Sequence, residues 1–107
     1  MHAPEAAVDT TRREWEEGYR RLEALADEDA ALYRRLADQV EVVIDELRRR
    51  VGEVFTLGEL AHAYGDADRW TREALEERVG ASAHRHATFV GDSAFYLYAR
   101  GASDYRP

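Results

Sequence analysis

At 107 residues the chain is long enough for one domain with a modest core, since folding at this size buries roughly two thirds of the surface that the extended chain exposes. Twenty-two acidic residues against 15 basic ones leave a net charge of −7; with no cysteine and no apolar run near the ~20 residues that cross a bilayer, a disulfide framework and a membrane-spanning helix are both excluded. Every basic residue is arginine and neither lysine nor asparagine occurs, a usage that fits GC-rich bacterial coding and removes arginine abundance as a nucleic-acid signal.

Residues 1–9, MHAPEAAVD, are small, contain Pro4 and show no periodicity. They are expected to form a flexible arm, and they lack the basic start and apolar stretch of a secretion signal, which predicts a soluble cytoplasmic protein. Thr11-Arg12-Arg13-Glu14 is a capping box, in which the hydroxyl and the carboxylate each satisfy a free backbone N–H, so a helix is expected to begin there. Trp15, Leu22, Leu36 and Val43 recur at multiples of seven, and Tyr19, Ala26, Tyr33, Val40 and Leu47 form the companion series of a helical seam. Long paired helices over residues 11–51 follow.

Asp29 is the one defect in that seam. Either Asp27 caps a second helix, giving an antiparallel pair over 11–26 and 28–51, or a single helix runs through, because neither glycine nor proline interrupts it. Gly18 weakens the first helix without ending it. Val42 and Ile44 widen the apolar stripe of the second half, which marks it as the central core helix. Arg48, Arg49 and Arg50 fall in its last turn, where positive charge complements the helix dipole.

Thr56-Leu57-Gly58-Glu59 is a second capping box, flanked by Phe55 and Leu60 in the positions of a hydrophobic staple. Leu57, Leu60, Ala61 and Tyr64 give one apolar face, and Gly65 stands where a left-handed residue commonly ends a helix. Asp66 or Asp68 can cap the next helix, whose stripe is Ala67, Trp70, Ala74, Leu75 and Val79 before Gly80. Residues 55–80 therefore read as a helix-turn-helix-like pair. Two β-prone runs around Gly91-Asp92-Ser93 predict a β-hairpin over 84–100, with Phe89, Phe95 and Leu97 on one face and His84, His86, Thr88, Tyr96, Tyr98 and Arg100 on the other. Residues 101–107 read as a tail. The expected fold is a single, mainly α domain with a C-terminal β-hairpin.

This order of elements over residues 40–100, with the segments TLGELA and REAL, resembles the winged-helix branch of the helix-turn-helix regulators, residues 81–100 taking the place of the wing. The chain departs from that pattern at Asp66, where the turn normally has an apolar residue, and at Thr71, where an inward valine is usual. The resemblance implies a bacterial transcription-related regulator that contacts DNA through Arg69, Thr71 and Arg72 of the second helix and Arg85 and Arg100 of the wing. The alternative for the same arginines is ordinary pairing at i,i+4, Arg69 with Glu73 and Arg72 with Glu76.

A competing reading is a protein-interaction or scaffold module without DNA contact. It would form a homodimer through the N-terminal helices, with Trp15, Tyr19 and Leu22 at the interface, and would bind a partner through His86, Tyr96 and Tyr98 beside Arg100. No serine has a glycine elbow or an identifiable base, so catalysis is not expected. His84-x-His86, even with His62 and Asp66, lacks a second ligand pair, and neither metal nor cofactor is expected.

Overall fold

The computed structural model describes the backbone of residues 5–105 and the side chains of residues 8–105. Within it lie five α-helices and a 3-10 segment: α1 (Glu5–Glu28), α2 (Ala30–Arg50), α3 (Leu57–Tyr64), α4 (Ala67–Arg78), the 3-10 segment Ala81–His86, and α5 (Ala87–Ala99). No strand occurs among the described residues.

The first helix begins six residues ahead of the Thr11 capping box, so residues 5–9 of the expected arm are helical. The expectation for residues 1–4 lies outside the described residues. Asp29 alone separates α1 from α2. Its backbone leaves the helical region, at φ −152° and ψ 82°, and its carboxylate accepts a hydrogen bond from the Leu32 N–H at 3.1 Å. The two-helix alternative is thus the observed one, broken at Asp29 instead of at Asp27. An acid that spoils a seam does so here because it serves as an N-cap.

The expected hairpin is the main correction. Residues 84–100 are helical: the 3-10 segment leads into α5, and Gly91-Asp92-Ser93 lies in the middle of that helix, where no chain reversal occurs. The physical reason is burial on several sides at once. Ala87, Val90, Gly91, Ala94, Phe95 and Ala99 are buried at helical spacing, but Phe89, Tyr96, Leu97 and Tyr98 put half-buried apolar groups on the other sides, so the sequence of α5 shows no distinct apolar stripe. Its small residues allow close approach, and the Ser93 hydroxyl donates back to the Phe89 carbonyl at 2.9 Å, which satisfies it inside the helix. The helices pack around aromatic and β-branched residues whose local preference is for strands; tertiary burial decides the outcome.

Helices α1 and α2 fold back on each other with α5 wedged along both. The start of α5 lies by the α1–α2 turn, where Phe89 shares a cavity wall with Leu25 and Leu32, and its end reaches the segment after α2, where the Tyr98 hydroxyl donates to the Gly52 carbonyl. It therefore runs parallel to α2 and antiparallel to α1. Helices α3 and α4 close the remaining face. Phe95 sits at the crossing, with its ring centroid 5.3 Å from Trp15, 5.1 Å from Tyr64 and 6.0 Å from Trp70.

The α3 start behaves as its sequence requires. Thr56 accepts from the Glu59 N–H at 3.1 Å, and the Glu59 carboxylate accepts from the Thr56 N–H at 2.9 Å. Phe55 and Leu60 are both buried, as a staple demands. Gly65, by contrast, is not left-handed (φ −55°); the positive φ angles belong to Gly52 (90°) and Gly80 (132°). The first five residues of the expected tail pack back onto the fold: Ala102 is buried, the Ser103 N–H donates to the Phe55 carbonyl at 3.1 Å, and Asp104 accepts from the Leu57 N–H at 2.8 Å.

Candidate functional site

The residues expected to touch DNA do not form one surface. Thr71 is 2% exposed and packs toward Gly91 of α5, so its side chain is unavailable to a base edge, a correction to the expected role. Arg72 is exposed but engaged: its guanidinium lies 3.2 Å from the Asp68 carboxylate and 3.4 Å from the His84 carbonyl. The i,i+4 pairing principle holds with Asp68 as the partner, not Glu76. Arg69 is exposed, with no ion pair to Glu73 or any other acid among the described residues. Arg85 lies in the 3-10 segment and Arg100 caps the C-terminus of α5, about 20 Å apart along a 13-residue helix, so the expected wing with its two arginines is absent. The outward row of α4 carries Asp68, Glu73, Glu76 and Glu77 beside Arg69, Arg72 and Arg78. Arg48 and Arg49 at the end of α2 are held by Asp45 and Glu46, and Arg50 bonds Glu46 while its guanidinium lies over the Trp70 ring, 4.8 Å from its centroid.

The expected partner residues also separate. Trp15 and Leu22 are core residues of this fold, 1% and 4% exposed, and present no surface to a second chain. Tyr19 stacks on Tyr96 across α1 and α5 with ring centroids 4.7 Å apart. Burial, followed by the charge of Glu23, pushes the Tyr19 hydroxyl pKa up. Tyr98 points elsewhere, stacked on Phe55 at 4.8 Å. His86 caps the opposite end of α5 from Arg100.

Two concave regions do emerge. The larger, of about 540 Å³, opens where the α1–α2 turn meets the start of α5. Leu25, Leu32, Leu36 and Phe89 form its apolar wall, and Arg21, Arg85, His86 and Glu28 its polar border. Neither Arg21 nor Arg85 makes an ion pair among the described residues. Two cations beside an unfilled apolar recess suit a ligand that brings apolar bulk and negative charge together.

The second region is centred on Asp92. Its Oδ1 accepts from the Tyr64 hydroxyl at 2.6 Å, and a Glu14 carboxylate oxygen lies 3.4 Å from the same hydroxyl. Burial pushes the Asp92 carboxyl up to about 6; the Tyr64 hydrogen bond lowers it, and Glu14 and Glu17 raise it further. Burial and the neighbouring Asp92 push the Tyr64 hydroxyl well above the usual phenol range. A recess of about 380 Å³ lies on the α1 side of this pair and another of about 180 Å³ on the α4 side, and Tyr64, Thr88 and Asp92 line both. Sequence reasoning assigned Asp92 to a turn and Tyr64 to an apolar face. One signal was present: Asp92 is the sole charged residue between Arg85 and Arg100, unusual for a segment so apolar.

Among the described residues no three His, Cys, Asp or Glu side chains converge in a metal-holding group, and no helix is long and apolar enough to cross a membrane. Comparison with family models, curated proteins and solved structures gave no match.

Proposed function

We propose that the protein is a non-catalytic interaction module that receives an apolar, acidic segment of a protein partner in the recess between α1, α2 and α5. The observation that carries this reading is the pairing of an open apolar wall, Leu25, Leu32, Leu36 and Phe89, with Arg21 and Arg85 at its border, neither held by a carboxylate. Hot spots at protein interfaces are apolar or aromatic anchors seated in pockets, and arginine is enriched around them. A recess of this volume admits one or two large side chains, and charge complementarity selects Asp or Glu beside them.

Direct DNA contact, as a transcription-related regulator, is the second reading. Its support is the α3–α4 pair and the exposed, unpaired Arg69. Against it stand the acidic outward row of α4, the burial of Thr71 and a net charge of −7, because DNA affinity comes largely from neutralising phosphates.

Selection from a displayed random-peptide library tests the first reading. Enriched peptides are expected to combine an aromatic or aliphatic anchor with flanking Asp or Glu, and to lose binding to Arg21→Glu and Arg85→Glu variants. No enrichment, or enrichment indifferent to both charge reversals, overturns the proposal. Titration with random-sequence and genomic DNA separates the second: binding that weakens steeply with salt and falls in Arg69→Ala would transfer the function to α4.

A further inference from the structure

The partner recess does not end at Arg21. Arg21, Thr88 and Phe89 line it and also line the recess of about 380 Å³ on the α1 side of Asp92, so the two are successive stretches of one groove between α1 and α5. On the α1 wall Glu14, Glu17, Gly18, Arg21 and Leu25 recur every three or four residues, which places them on one face of that helix. From Glu14 to Glu28 this face is about 20 Å long.

Charge changes sign along the groove, and it does so on both walls. On α1, Glu14 and Glu17 give way to Arg21; on the opposite wall Asp92 of α5 gives way to Arg85 of the preceding 3-10 segment. Because α1 and α5 are antiparallel, the two steps from acid to arginine point the same way. The three acids stand together: Asp92 packs against Gly18, and Glu14 and Glu17 both add to the rise of its carboxyl that burial begins. Glu17, Arg21 and Arg85 have no ion pair among the described residues, so their charges are open to an occupant. Glu28 is the one acid among the described residues lining the arginine-bearing stretch.

We propose that the groove takes an amphipathic helix of the partner with segregated charges: Asp or Glu beside Arg21 and Arg85, Lys or Arg about seven residues away beside Glu14, Glu17 and Asp92, and an apolar stripe against Leu25 and Phe89. Walls built from helices offer no backbone edge for a strand to pair with, and an extended segment would carry unpaired N–H and C=O groups into the groove. A helix satisfies its own backbone and binds by its side chains alone. A wholly acidic segment is not equivalent, because past Phe89 it meets three carboxylates. This inference rests on the partner reading of the larger recess, and it can fail while that reading stands.

The test uses two labelled 18-residue amphipathic peptides with the same Leu and Phe stripe, titrated with the full chain and followed by anisotropy and circular dichroism. One has Glu beside the start of the stripe and Lys seven residues on; the other has Glu in both places. The Glu–Lys peptide is expected to gain helix on binding and to bind about threefold to tenfold more tightly than the all-Glu peptide. Glu17→Lys, at an exposed position and with its fold verified by its thermal transition, is expected to reverse that preference. Equal affinities that still fall in Arg21→Glu and Arg85→Glu, a preference unmoved by Glu17→Lys, or binding without gain of helix would overturn this inference and leave the partner recess in place. Absence of binding by either peptide at millimolar concentration, or binding indifferent to both arginine reversals, would overturn the recess and this inference together.

Discussion

Gly18 shows how much a single hydrogen can decide. A Cβ placed on it would lie 2.6 Å from the Asp92 Cβ, closer than two carbon atoms approach without something shifting, and the obstacle is a side chain fixed at its root. In an isolated helix Gly18→Ala gains up to about 1 kcal/mol of propensity. Here it must part α1 from α5 along their longest contact, and overpacking of that kind costs about 1–3 kcal/mol. The expected net result in urea unfolding is a loss of stability, accompanied by disturbance of the Tyr64–Asp92 hydrogen bond; a stabilised Gly18→Ala protein would show that the crossing is looser than described. Asp92 itself makes a second prediction at this scale. Its carboxyl is raised from 3.8 to about 6 in the folded state, so the protonated form is favoured by folding. That contribution is fully present below pH 4 and is lost as pH rises through 6. Because the group is half-buried, solvent screening reduces the effect to about 1 kcal/mol. Unfolding free energies of wild type and Asp92→Asn, measured between pH 4 and 7, should therefore diverge in favour of the variant as pH rises; parallel curves would remove the raised carboxyl. Glu46 acts in the opposite sense: burial raises its pKa, but hydrogen bonds from Arg49 and Arg50 outweigh burial and leave it lowered.

The start of α3 is held from both directions along the chain. Thr56 and Glu59 close the local box, while Asp104, 47 residues from Leu57, accepts from the first helical N–H. Replacing Thr56 by Ala is expected to cost about 1 kcal/mol, the usual worth of an N-cap. Asp104→Ala should cost a similar amount, about 0.5–1.5 kcal/mol, because it leaves the Leu57 N–H without its partner. A change within a few tenths for Asp104→Ala in urea unfolding would mean that residues 101–105 do not clamp α3. These two caps also mark the boundary of what the sequence discloses. The Thr56 box is legible because its partners lie three residues apart; the Asp104 cap is not, because only folding brings it to Leu57. The same distinction explains α1 and α2, whose seven-residue series is a local pattern, and Asp29, whose polar side chain marks a helix start. It explains α5 in reverse. A helix buried against α1, α2 and α4 loses its stripe, and its β-prone residues with Gly91 at the centre imitate two strands and a turn. The site residues follow the same rule: Thr71 sits on the inward stripe of α4, whereas Asp92 gains its meaning from Tyr64, 28 residues away.

For the whole molecule the deciding contact is Phe95, which is fully buried where α5 meets Trp15 of α1, Tyr64 of α3 and Trp70 of α4. Four helices therefore share one ring. Arg50 lies over Trp70 at the edge of this arrangement, where its partly exposed charged head adds comparatively little. Removing a large aromatic side chain from such a position costs about 3–5 kcal/mol, because the lost contacts are joined by a cavity that the surrounding rings cannot fill. A domain of this size has about 5–15 kcal/mol in total, so the change consumes a large share of it. Phe95→Ala is expected to lower the urea midpoint sharply and to release Trp15 and Trp70 fluorescence together, since both indoles pack on the same ring. Tyr96→Ala, one residue further along but on the half-buried face against Tyr19, should cost far less. If the two substitutions proved equally damaging, or if the two tryptophans responded in separate transitions, the helices would not be organised about a common centre, and the recesses on either side of Asp92 would have no fixed walls on which to build a site.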